Sequence, residues 1–181
     1  MQTFDKLALM ALVGALLLWV VLPVAAASGA ALIAAACLHF WRLAQWAGDR
    51  TWAEPLVLVL HAGYTFVPLG ALMLGVAILQ PDAVDPGPAQ HVWLAGAIGL
   101  MTLAVMTRAT LGHTGQTLTA SPGTMAIYVT VIFSVALRLL GAALPARAGM
   151  LHALSGLGWI AAFGGFCAVY GRCLLTVWPN R

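Results

Sequence analysis

The most constraining feature of this chain is an almost unbroken apolar run of about 20 residues between His91 and His113, long enough to cross a ~30 Å hydrocarbon core as one helix. A backbone in lipid must satisfy its own hydrogen bonds, so such a run spans as a helix and not as an open strand. The chain contains more runs of the same kind. Across 181 residues it is 62% hydrophobic and only 7% charged, whereas a water-soluble domain carries about a quarter charged residues. The class is therefore all-α: a polytopic membrane protein folded as one six-helix bundle. Spans are expected at about 7–26, 27–45, 55–79, 92–112, 124–143 and 150–177.

The first run has two readings. A leucine-rich stretch followed by small residues resembles a secretory leader, but Asp5 cancels Lys6 and the run is long enough to span; a retained helix is the reading adopted. The connector at 80–88, with Asp82, Asp85 and three prolines, is the plainest loop. Loop charges orient the bundle. With the N-terminus inside, Lys6, Arg42, Arg50, Arg108, Arg172 and Arg181 fall on the cytoplasmic side. Arg138 and Arg147 fall outside with the two loop aspartates, which predicts an N-in/C-in arrangement. The net charge of +3 comes from basic residues set singly between apolar spans, so no nucleic-acid surface is expected; the expected partner is the lipid bilayer. Cys37, Cys167 and Cys173 form no CxxC and read as buried small hydrophobes.

Within the fourth run, Gly96, Gly99, Thr102, Met106, Thr110 and His113 recur in steps of three or four. They predict one small-and-polar face packed on other helices. The five histidines sort by depth into two tiers. His91 and His152 lie at one end of the bundle, with Arg138 near them. His39, His61 and His113 lie at the other, with Arg108. His91 and His113 are about 33 Å apart along one helix, so a metal site uses one tier or the other. Imidazole ligates haem iron and copper, and ionisable groups inside a membrane are functional candidates. Each histidine also has a plainer role: a cap at the interface for His91, His113 and His152, a carbonyl bond for His61. Neither a nucleophile triad, a phosphate loop nor a carboxylate pair is present, and Glu54 is the only glutamate.

Two segments carry a family resemblance: LHAGYTFVPLG at 60–70 and HVWLAGAIGLMTLAVMTRATLGHTG at 91–115, supported by the order of elements around them and the WPNR tail. They are similar to signature segments of the NnrS family, polytopic proteins of bacterial inner membranes that carry haem and copper. That family is associated with nitric oxide metabolism, nitrosative-stress resistance and denitrification. Usual members are about twice this length, so the resemblance implies the C-terminal half only. It also implies either a second chain that replaces the missing half or a homo-oligomer. It makes His61, His91, His113 and Arg108 the cofactor-binding candidates, with His61, His113 and His91 as metal ligands. His39 and His152 lie outside the matching segments and rest on topology. The tightest expectation is that His61 and His113 meet beside Arg108. The other function open to such a chain is a metal-free helical module, serving as a half-transporter or an assembly subunit. Whether the protein is an enzyme, sensor or scavenger is left open by these residues.

Overall fold

The computed structural model describes residues 3–46, 48 and 51–175. Arg50, Arg181 and the WPNR tail lie outside the described residues. Helices follow in the order α1 (Thr3–Val21), α2 (Ala26–Ala44), α3 (Pro55–Leu79) and α4 (Pro86–His91). A π-helical segment (Val92–Gly99) continues α4 into α5 (Leu100–His113). Then come α6 (Pro122–Ala143), a 3₁₀ turn (Pro145–Arg147) and α7 (Ala148–Leu175). Six of these units are long and apolar enough to cross a membrane, counting α4 through α5 as one and the 3₁₀ turn with α7 as one. An even number of crossings brings the start of α1 and the end of α7 to the same end of the bundle, hereafter the terminal end.

Local chemistry sets the boundaries. Asp85 caps α4 by accepting a bond from the Gly87 backbone N–H at 2.8 Å, and Ser121 caps α6 by accepting from the Thr124 N–H at 3.2 Å. A proline follows each cap at the first helical position, where the missing N–H costs nothing. At the end of α5, Gly115 takes a positive φ of 67°, and the Gln116 N–H returns to the Leu111 carbonyl at 2.9 Å, closing the helix with a left-handed turn.

Neighbours in sequence are neighbours in space. α1 lies on α2, α2 on α3, and α3 on the α4–π–α5 unit. α6 and α7 form the most closely joined pair. At the α6–α7 seam, Ser134 Oγ donates to the Ser155 carbonyl at 2.7 Å and Ser155 Oγ donates to the Ser134 carbonyl at 2.8 Å. Both hydroxyls are thereby satisfied inside an apolar interface. One buried cluster joins α3, α5, α6 and α7 around Leu100, Leu103, Tyr128 and Phe166; a smaller one joins α1, α2, α3 and α4 around Leu32 and Leu74.

The π segment changes what sequence spacing predicts. Its bonds reach one residue further than an α-helix, so each residue advances the helix face by a smaller angle. Gly96, Gly99 and Thr110 are buried as expected, but Thr102 and Met106 are exposed, and Leu103, Ala104 and Thr107 take their place. The small-and-polar stripe is thus two faces out of phase. The cysteines also depart from expectation: Cys37 and Cys167 lie exposed on the outside of the bundle and Cys173 is half-buried. An apolar surface facing lipid accepts a thiol as readily as a core does.

Candidate functional site at the far end of the bundle

Opposite the terminal end, the end of α4, the π segment, α6 and α7 border an open-sided cavity of about 450 Å³ lined by His91, Ser134, Arg138, His152, Ser155 and Trp159, among others. Such a volume falls within the usual size of a small-molecule site. Each polar group reaches it for a local reason. His91 is the last residue of α4, and its Nδ1 lies 2.9 Å from the Gly87 carbonyl one turn earlier. A carbonyl only accepts, so Nδ1 carries the proton and Nε2 keeps its lone pair. This is the second contact by which metal-binding imidazoles are usually oriented. His152, in the first turns of α7, lies against Gly141 of α6. A Cβ at Gly141 would stand 2.5 Å from its Cδ2 and Nε2, so only glycine there leaves room for the ring.

Arg138 is half-buried in the same wall. Among the described residues it has neither a carboxylate partner nor a hydrogen bond. A guanidinium left unpaired beside two imidazoles makes the cavity a place for a ligand with an acidic edge and a donor-seeking centre. Below them the Ser134–Ser155 exchange closes the floor, and Trp159, stacked on Phe163 with centroids 4.2 Å apart, supplies a flat aromatic wall.

The terminal end is organised differently. His39 is 1% exposed, with both ring nitrogens engaged: Nδ1 with the Tyr64 hydroxyl at 2.5 Å and Nε2 with the Ala8 carbonyl at 3.0 Å. Arg42 donates to Tyr64 Oη and to Asp5 Oδ1, each at 2.8 Å, and its guanidinium lies over Trp46, 4.9 Å from the ring centroid. Tyr64 thus joins α2 to α3, while Asp5 and Ala8 tie α1 to α2. With both nitrogens used, His39 has no lone pair to offer a metal. The sequence marks none of Asp5, Tyr64 and Trp46 as a ligand; the signals it does carry are that His39 and Arg42, three residues apart, share a helix face and that Tyr64 reads as an interior hydrogen-bonding side chain.

His61 and His113 are not brought together. Gly63 packs on Met101, and Leu56 and Val57 share a cavity wall with Arg108. In this antiparallel register His61 sits level with residue 103 of α5, and His113 lies ten residues further on, about 15 Å along the axis. His61 bonds to the Val57 carbonyl one turn back at 3.1 Å and presents its ring to the edge of Trp46. His113 and Arg108 are exposed. The expectation of a joint His61–His113 site failed on depth: a histidine two turns inside one helix cannot face another at the end of its neighbour.

The family comparison accords with this architecture: the family described as NnrS protein matches residues 1–177, so the chain belongs to the NnrS family. No curated protein and no solved structure matches it.

Proposed function

Taking NnrS family membership as the premise, we propose that this membrane protein holds a haem at the far-end cavity and acts in nitric oxide metabolism or nitrosative-stress resistance. The observation that carries this reading is the convergence of His91, His152 and the unpaired Arg138 on one cavity. Among the described residues no three metal-binding side chains gather. Two imidazoles suit a metal whose remaining ligands arrive with it, as a porphyrin supplies them. A bare copper ion would have only two protein ligands here, so copper is not assigned to this cavity.

The residues divide the work. His91, oriented by its bond to the Gly87 carbonyl, would hold the iron through Nε2. His152 would be the second donor; its Cδ2–Nε2 edge is seated on Gly141, which leaves Nδ1 as the nitrogen free to face the group. Arg138 would offset the charge of a propionate, and Trp159 would give the group an aromatic wall. Haem bound there would supply redox-active iron able to take a small diatomic ligand. Leu94 and Ile160, exposed apolar residues of the cavity lining, would favour the entry of a neutral, apolar gas over that of an ion.

The proposal includes an N-in/C-in orientation in the bacterial cytoplasmic membrane. It is supported by Lys6, Arg42, Arg108 and Arg172 at the terminal end and by Asp82 and Asp85 at the other. It also includes retention of α1, whose Asp5 and Ala8 are the partners of Arg42 and His39.

The test is a Soret band in protein purified from haem-replete cells. His91→Ala and His152→Ala should each lose most of the bound haem, while His61→Ala and His113→Ala should keep it. No Soret band in well-folded wild-type protein would favour the metal-free module. Loss in the His61 and His113 variants alone would return the site to the terminal end.

A further inference from the structure

A second cavity, of about 440 Å³, lies at the terminal end, away from the histidine site and independent of it. Its walls come from the start of α3 (Glu54, Pro55, Leu56, Val57), from Arg108 on α5 and from the connector residues Leu118 to Ala120. It holds the only glutamate of the chain and an arginine, facing one space from two different elements. The two do not pair with each other, and neither has another charged partner among the described residues. Both side chains are exposed.

We propose that this cavity binds the headgroup of a zwitterionic phospholipid bearing a primary ammonium, with the phosphate on Arg108 and the ammonium on Glu54. The position is that of a headgroup: Arg108 lies within the last turns of its span and Glu54 immediately before the first turn of α3, so both are at the membrane interface. Charge selects the class. A purely anionic headgroup would meet Arg108 favourably but would be repelled by Glu54. A headgroup carrying both signs satisfies both walls without drawing the helices together. The ammonium must be primary, because a carboxylate accepts N–H bonds that a quaternary amine does not have. A quaternary amine is held by aromatic rings instead, and none of the described lining residues is aromatic. Leu56, Val57, Leu118 and Ala120 supply an apolar flank along which the glycerol and first acyl carbons can lie.

The experiment is native mass spectrometry of the full chain released from micelles supplemented with phosphatidylethanolamine, phosphatidylcholine or phosphatidylglycerol of one acyl composition. The wild type should retain phosphatidylethanolamine over the other two by about tenfold, a difference of about 1.4 kcal/mol. Glu54→Gln should bring phosphatidylethanolamine down to the phosphatidylcholine level, and Arg108→Gln should weaken both. Leu118→Trp, which fills the cavity and leaves both charges in place, should abolish the preference. Equal retention of all three lipids by the wild type would overturn the proposal. So would a preference for phosphatidylglycerol, or a preference that survives both Glu54→Gln and Leu118→Trp. Displacement of the lipid by soluble phosphoethanolamine at matched concentration would overturn the membrane lipid as the occupant.

Discussion

Gly29 of α2 and Gly75 of α3 meet backbone to backbone. A Cβ on Gly29 would lie 3.0 Å from the Gly75 carbonyl oxygen, and one on Gly75 would lie 2.8 Å from the Gly29 carbonyl oxygen. Without a hydrophobic drive between helices in lipid, such close approach is a main source of packing energy. Gly75→Leu should separate α2 from α3 and destabilise the protein by about 1–3 kcal/mol or more. Thermal unfolding in detergent checks this, with Gly14→Leu on α1, where a Cβ meets nothing within 4 Å, as the neutral control.

Tyr64→Phe removes the hydroxyl shared by His39 and Arg42. The buried His39 and the partly buried Arg42 then each lose a partner, at about 1–3 kcal/mol. The expected result is a lower unfolding temperature with haem content unchanged. Loss of haem in this variant, at unchanged stability, would tie the terminal-end network to the cofactor.

Arg138→Gln removes the charge and keeps a polar, hydrogen-bonding end on a shorter side chain. Haem should dissociate about tenfold faster, corresponding to about 1.4 kcal/mol, and Arg138→Lys should recover part of the difference. Transfer of haem to an excess of an apo-haem acceptor measures the rate. An unchanged rate in Arg138→Gln would detach Arg138 from the site.

Gly96 and Thr102 separate the two phases of the fourth span. A Cβ at Gly96 would stand 2.6 Å from Phe66, whereas Thr102 is exposed. Gly96→Leu should impair assembly and Thr102→Leu should be tolerated. The reverse outcome, read by size-exclusion profile and yield, would restore the uninterrupted stripe.

A reporter active only in the cytoplasm, fused at the C-terminus, should be active, and the same reporter inserted in the 80–85 connector should be silent. The opposite pair of results would invert the orientation deduced from the loop charges.

The class and the six helices were legible because length and apolarity alone decide whether a segment can span. The depth of the histidines was legible too, so His91, His152 and Arg138 could be placed near one another before any contact was known. Lateral facing was not. His39 reads as a potential ligand in sequence, yet its nitrogens are taken by Tyr64, 25 residues later, and by Ala8, 31 residues earlier. No local spacing encodes such partners. His61 and His113 share a tier only when depth is counted loosely; the register fixed by Gly63 against Met101 separates them.

The π segment that follows His91 has a further consequence. An α-helix turns by about 100° per residue, so deleting one residue between 92 and 99 should relax the widened turn. The His91 end would then turn by much less than that angle relative to α5, because the widened turn already absorbs most of one residue's rotation. The fourth span therefore behaves as two helices coupled through a phase shifter. One half is keyed to α3 by Trp93, whose indole donates to the Val67 carbonyl at 2.7 Å, and the other half packs on α3, α6 and α7 together. The direction in which His91 points is encoded by the width of this turn, so closing it to α-geometry without removing a residue would redirect the imidazole while every side chain in the cavity keeps its identity.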